Sequence, residues 1–449
     1  MLKNGFYNVL GGTIRMGLSV LTIPLLIRFI GVKEYGLWTL ASSTVGIVTL
    51  AEAGLSVSTT VFLSRDLANN DADSLSQTLT VTVGTMLLLA TTAAITLWIG
   101  APKLVELFGL LERSQYIKAV QALRIGGVVI WAQLLQKVIV GVEQAYQQYG
   151  VMNVLSTLQL ALINLGLLLV AWFGGKTAEL MQWQAVISVG MLVAHCWAGW
   201  ILLGQSKVHI AWEVGRGLAI AHYSLMTWMT SIGSVIFGQV DRLVVGALLG
   251  TEKLGIYAAI TTIARQINTF SALPVQPILP SLSSEIEKKG NSHKKIKNQV
   301  IKALQINGII AYSLGAIFLA FAPFIMEVMI PDVKDNNYIR EFNIAVIIYT
   351  LYSTNAVGYY TLLSAKAVKS CMLIVLASGT ISLLSISAGG WHFGLIGAIL
   401  GNAGYVFSFS LTLFALNKID VTISEYANSI KYPMAFFLLV LTWSIMNFL

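Results

Sequence analysis

Apolar stretches of about twenty residues follow one another along almost the whole chain, parted by short polar breaks. A helix needs roughly 20 mainly apolar residues to cross a bilayer. Backbone groups in hydrocarbon find no water, so each crossing segment must satisfy its own hydrogen bonds. Helices and closed barrels can do this. A barrel would show alternating strands of about ten residues, and the sequence has no such pattern. The reading is all-α and polytopic. The chain of 449 residues is 56% hydrophobic and 11% charged, against about 25% charged in a soluble domain. Too little polar surface remains to face water.

Expected spans run about 9–30, 36–62, 78–99, 120–142, 151–173 and 183–204, then about 220–249, 255–282, 300–322, 340–363, 369–388, 393–416 and 431–449. With the N-terminus inside, the inner breaks hold 13 Lys and Arg and the outer breaks hold 9. That is the bias the positive-inside rule expects. Its strongest part is Glu285–Lys297, with five lysines in one short loop. The loop reads first as an orientation signal, and contact with anionic membrane lipid is the alternative. The net charge of +8 then belongs to membrane-protein loops, and no nucleic-acid partner is expected. The first apolar stretch has no small-residue cleavage site after it and reads as a retained helix. Cys196 and Cys371 lie in apolar stretches, without disulfide or metal-ligand spacing. No metal or other cofactor is expected.

One turn occurs twice. Gly31-Val-Lys-Glu-Tyr-Gly36 and Gly250-Thr-Glu-Lys-Leu-Gly255 each close one apolar stretch and open the next. The offsets agree, since 250 − 31 = 219 and 255 − 36 = 219. Leu37-Trp38 follows the first turn and Ile256-Tyr257 the second. Glycine supplies the positive φ that a tight helical hairpin requires. Two six-span lobes are expected, 1–205 and 206–417, with 418–449 as an extra C-terminal transmembrane segment. Six spans per lobe keep both lobes in the same orientation, a parallel repeat about an axis along the membrane normal. Transporters that alternate access are built this way.

Polar residues inside spans are costly, and by default they suggest a pathway or site. Asn4, Asn8, Gly12, Arg15, Ser19 and Thr22 fall on one helical face by steps of three and four. Ser42, Gly46, Thr49, Glu52, Ser56 and Thr59 do so in the second span. In the second lobe Thr227, Ser231, Ser234, Gly238 and Asp241 do the same, followed by Thr261, Arg265 and Asn268. Such stripes on the first two helices of each lobe are expected to line a shared cleft. The structural alternative is close helix packing by small and hydroxyl residues. Glu52 is a partner for Arg15, and Asp241 for Arg242 or Arg265, though buried pairs are weak signs of function. Counting Arg124 as well, the deep charges lean towards arginine, whose rigid fork matches phosphate and carboxylate. Lys137 and Glu143 read as residues that snorkel to the interface. His195 reads as a packed helix residue without a metal-ligand partner. Tyr349, Tyr352, Asn355, Tyr359 and Tyr360 offer either a sugar-stacking surface or an interfacial belt. Pro274, Pro277 and Pro280 should bend or break the eighth span. No nucleophile beside a base and no paired carboxylates appear, so an enzyme is not expected.

Pro24-Leu-Leu-Ile-Arg-Phe-Ile-Gly31 followed by Tyr35-Gly36-Leu37-Trp38 resembles the opening hairpin of bacterial polysaccharide flippases. These form part of the multidrug/oligosaccharidyl-lipid/polysaccharide exporter superfamily. Gln239-Val-Asp241-Arg242-Leu-Val-Val-Gly246, with Leu249-Gly250 and Gly255-Ile-Tyr257, resembles the family's seventh helix and turn. Glu52-Ala-Gly54-Leu55 and then Arg65 resembles its second helix, where Asp often stands for Glu52. The resemblance implies a V-shaped pair of six-helix lobes in the bacterial inner membrane. It also implies translocation of polyprenyl-pyrophosphate-linked oligosaccharide. A cationic lumen would use Arg15, Arg242 and Arg265, with Asn8, Asn268, Tyr352, Asn355 and Tyr359 on the headgroup and Glu52 or Asp241 coupling an ion. Other glycan-assembly proteins are candidate partners. A peptidoglycan-precursor flippase and a multidrug exporter of the same superfamily are alternatives, and a membrane glycosyltransferase or polymerase is a more distant one.

Overall fold

The computed structural model describes residues 21–108, 111–204, 206, 208–276, 278, 282, 293–330, 337–365 and 367–448. Asn8, Arg15, Pro277, Pro280 and the lysines of the loop at 288 and 289 lie outside these residues. The described chain is helical throughout. The first half comprises α1 (Leu21–Ile30), α2 (Val32–Val48), α3 (Leu55–Ala68), α4 (Ala72–Glu106), α5 (Arg113–Ala145), α6 (Tyr149–Trp172), α7 (Thr177–Leu203) and α8 (Val214–Val235). The second comprises α9 (Asp241–Ala272), α10 (His293–Ala320), α11 (Ala322–Met329), α12 (Asn337–Ser353), α13 (Ala356–Ser364), α14 (Val368–Gly401), α15 (Ser410–Lys418) and α16 (Ile423–Phe448).

Among the described residues nine helices are long and apolar enough to cross a membrane. One of them, Lys369–Lys418, runs 50 residues through a left-handed Gly394 and covers two of the expected spans. Large apolar side chains face outward, among them Val186, Val193, Trp197 and Trp200 on α7. A water-soluble surface does not carry such continuous apolar area. The chain is a multi-pass membrane protein.

The spans are broken where the sequence places special residues. Gly31 has φ 81° and Gly250 has φ 79°, so the two copies of the turn adopt the same left-handed conformation. The second span breaks between α2 and α3 at a short 3₁₀ turn, Thr49–Glu52, followed by left-handed Ala53 and Gly54. Side chains of α8 brace the break by adding a second hydrogen bond to two carbonyls that already accept from Ala53 N and Ser58 N. Trp228 Nε1 donates to Leu50 O at 2.7 Å, and Thr227 Oγ1 donates to Gly54 O at 3.2 Å. A wider turn, Ile236–Val240, joins α8 to α9. The expected proline break falls just past α9, which stops at Ala272, two residues before Pro274. At the start of α4, Asp71 caps the helix by accepting from Ser74 N at 2.9 Å and Ser74 Oγ at 2.7 Å. The bond from the Ser74 backbone, chiefly, holds the exposed Asp71 carboxyl below its ordinary range.

The chain divides into two compact units, Met1–Gly255 and Ile256–Leu449. Residues 206–255 pack with the first unit. Arg216 pairs with the buried Asp66, which also accepts from Thr78 Oγ1 at 2.6 Å. The Ser58 and Ser224 hydroxyls meet at 2.6 Å. In the second unit α16 begins about eight residues before the expected thirteenth span and docks on α10. Gly308 meets Ile430, Tyr312 packs at 5.7 Å on Phe437, and Lys297 pairs with Glu425 at 2.8 Å.

Within the first unit the two glycine turns touch reciprocally. A Cβ on Gly36 would overlap the Thr251 carbonyl, and a Cβ on Gly255 would overlap the Val32 carbonyl. The offset of 219 relates these contacts, since 32 + 219 = 251 and 36 + 219 = 255. Gly36→Ala should therefore lower stability in detergent by about 1–3 kcal/mol through overpacking. Gly190→Ala, a helical site with nothing within 4 Å, should leave it unchanged or slightly raised. Denaturant unfolding of both variants checks this.

Candidate functional site

Helix α5 carries a polar face inside an apolar span. Gln133, Gln136, Lys137, Val140 and Gln144 follow one another by steps of three and four, with Gln136 and Lys137 adjacent, so they share one side. This side meets Ser56 and Val57 of α3, and Ser156, Gln159, Leu160 and Ile163 of α6. Together they line an open cavity of about 490 Å³, within the range of small-molecule sites. Two of its amides pair: Gln136 Nε2 donates to Gln159 Oε1 at 2.7 Å, and Gln159 Nε2 returns to Gln136 Oε1 at 3.2 Å. Gln144 Oε1 accepts from Thr60 Oγ1 at 3.0 Å. Lys137 is the one charged lining residue, and its Nζ lies 2.7 Å from Glu52 Oε2.

The expected site residues divide as follows. Glu52 ends the 3₁₀ turn between α2 and α3, where the broken helix turns its side chain towards Lys137 of α5. Ser56 Oγ also reaches Glu52 Oε2, at 3.4 Å. Lys137 is thus paired within the unit, which corrects the snorkelling assignment. Asp241 is fully buried in the first turn of α9, with Arg242 beside it in sequence. Arg265, Asn268, Tyr352, Asn355 and Tyr359 belong to the second unit. There Arg265 and Asn268 lie on α9, and Asn355 Nδ2 donates to Ser408 Oγ at 2.6 Å. Tyr349 is buried, and its hydroxyl and that of Tyr257 both reach Asn402 Oδ1, at 3.4 and 3.2 Å. Tyr359 is the exposed ring of this run and packs edge-on against Tyr360 at 5.6 Å. Much of the aromatic stripe therefore builds the interior of the unit. Arg124 faces outward from α5, and its guanidinium stacks 5.1 Å from the Trp98 ring centroid.

A buried acid–base pair was not expected. His195 Nδ1 of α7 lies 2.8 Å from Glu143 Oε1 of α5, and both side chains are 0% exposed. Glu143 stands two helical turns after Gln136, at nearly the same angle around α5. The outer atoms, Glu143 Oε2 and His195 Nε2, have no hydrogen-bond partner among the described residues. Fifty-two residues separate the two, so no local motif announces them. A signal for the cavity itself was present in the glutamine spacing on α5. Among the described residues no three His, Cys, Asp or Glu side chains cluster to hold a metal.

Fold and site together define a multi-pass helical membrane protein with a cleft between α3, α5 and α6 that carries amide and hydroxyl groups. The lipid II flippase MurJ in an inward closed conformation aligns with a TM-score of 0.75 and 12% identity, over 99% of this chain and 97% of that one. An inward-facing multidrug resistance MATE family transporter of the MOP superfamily aligns with a TM-score of 0.73 and 15% identity, over 91% and 98%. The family described as polysaccharide biosynthesis protein matches residues 1–286, and the chain belongs to it. A putative O-antigen transporter of Shigella flexneri is 21% identical over 376 residues, 80% of this chain and 82% of that protein. Stage V sporulation protein B of Bacillus subtilis (strain 168) is 33% identical over 99 residues, 22% of this chain and only 18% of its own length.

The buried pair makes a clear prediction. Breaking it with Glu143→Leu or His195→Leu alone should destabilise the protein by about 3–5 kcal/mol, because each leaves a buried polar partner behind. The double substitution should cost less than either single change. Chemical denaturation of the three variants measures this, and additive losses would show that the two groups act independently.

Proposed function

We propose that the protein moves a lipid-linked oligosaccharide headgroup across the bacterial inner membrane while the prenyl tail stays in the bilayer. Membership of the polysaccharide biosynthesis family carries this reading. The polar interior supports it, because polar and charged groups inside apolar spans are retained at a cost. Arg242 and Arg265, with Arg15 of the first span, would hold the pyrophosphate or acidic sugars in a cationic cleft between two parallel six-helix lobes arranged as a V. Asn8, Asn268, Tyr352, Asn355 and Tyr359 would meet the headgroup, and Glu52 or Asp241 would couple its passage to an ion. The N-terminus faces the cytoplasm in this reading. The work is transport, with no bond made or broken, and other glycan-assembly proteins would supply and consume the substrate.

A peptidoglycan-precursor flippase is the second reading, favoured by the near-complete alignment with a lipid II flippase. Both substrates are prenyl pyrophosphates, so a defined-substrate assay separates them. The full chain is reconstituted in vesicles with fluorescent prenyl-pyrophosphate glycans of each kind, and headgroup translocation is followed by quenching. Oligosaccharide flipping should be seen, and Arg265→Ala should reduce its rate at least tenfold at equal protein content. That factor corresponds to about 1.4 kcal/mol, a lower bound just under the roughly 1.5–3 kcal/mol of a hydrogen bond to a charged group. Unaltered flipping by Arg265→Ala would remove that residue from the site, and absence of flipping with every glycan would overturn the transport reading.

A further inference from the structure

We infer that the cavity between α3, α5 and α6 is a subsite for an uncharged saccharide, one bearing hydroxyl and acetamido groups. It is thus distinct from whatever holds the pyrophosphate. The inference rests on the proposed glycan transport and names the sugar chemistry that this one cavity accepts.

Charge is the first argument. Lys137 is the single charged residue of the lining, and Glu52 offsets it at 2.7 Å. No cation is left over to attract a phosphate or a uronic acid, and phosphate sites are normally built from arginine, lysine or clustered N–H donors. Hydrogen-bond type is the second. The rest of the polar lining is amide and hydroxyl: Gln133, Gln136, Gln144, Gln159, Ser56 and Ser156. An amide both donates and accepts, as does a hydroxyl. Sugar hydroxyls and acetamido groups have the same dual character, whereas a phosphate only accepts and would face the glutamine carbonyls unfavourably.

Pre-organisation is the third. Gln136 and Gln159 lock one another in a two-way amide pair, and Thr60 fixes the Gln144 carbonyl. Each of these amides keeps hydrogen-bonding capacity after its protein contact. Gln133 and Ser156 make no hydrogen bond to protein among the described residues, so their groups are open to a ligand. Size is the fourth. About 490 Å³ falls within the range of sites that enclose small organic molecules. A purely structural amide network would have no need of such a space.

The test uses the full-length protein in detergent, with saturation-transfer NMR reporting which sugars touch it. The probes are a neutral N-acetylated disaccharide, a uronic-acid disaccharide of the same size, and inorganic pyrophosphate as a competitor. The neutral sugar should bind, the acidic one should bind at least fivefold more weakly, and pyrophosphate should not displace the neutral sugar. Gln133→Leu and Ser156→Ala leave the internal amide pair intact. Each should weaken neutral-sugar binding on the order of fivefold, as expected for one lost hydrogen bond, with the unfolding midpoint unchanged. Preferred binding of the acidic sugar, displacement by pyrophosphate, or unaltered binding in both variants would overturn the inference. Flipping in vesicles is measured on the same preparations. Sugar binding without flipping would sink the transport reading and leave the subsite standing. Flipping with undiminished sugar binding in both variants would do the reverse.

Discussion

A helix in hydrocarbon can be broken only where a neighbour supplies the hydrogen bonds that the break releases. Most of this structure follows from that constraint. The span from Val32 to Ala68 is interrupted at Thr49–Gly54, where the local backbone bonds the Leu50 and Gly54 carbonyls and α8 adds the Trp228 indole and the Thr227 hydroxyl to them. The interruption turns Glu52 towards α5, where Lys137 meets it. The amide cavity lies beside this pair, so the position of the break and the polarity of the cavity are linked. A continuous helix at the same place would carry Glu52 with no reason to face α5.

The interior handles charge by pairing. Glu52 with Lys137, Asp66 with Arg216 and Glu143 with His195 each bring an acid and a base together within one unit. Pairing of this kind lowers the cost of burial without adding much net stability. It also leaves the amide cavity electrically quiet.

The sequence made the spans and turns legible because they depend on local chemistry. Apolar length marks the helices, and Gly31 and Gly250 mark turns that both adopt positive φ. The partners of buried polar groups were not legible, because they depend on how helices pack. Glu143 and His195 are far apart in sequence, and each alone looks like a residue at a helix end or in a packed run. Lys137 likewise looked interfacial until α3 was placed beside it. The stacking of Arg124 on Trp98 was not legible either, because it depends on how α4 and α5 pack. The glutamines of α5 share one side by their spacing alone, but which helices face that side depends on packing.

The glycine crossing has a consequence for how such a chain can change over time. The carbonyls of Val32 and Thr251 each occupy the space where a side chain on the opposite glycine would stand. Two stretches derived from one ancestral turn would be free to diverge almost everywhere else, as Lys33-Glu34-Tyr35 and Glu252-Lys253-Leu254 differ. At the crossing neither copy can enlarge unless the other retreats. The duplication would thus carry its own lock, and positions 36 and 255 would inherit a shared fate.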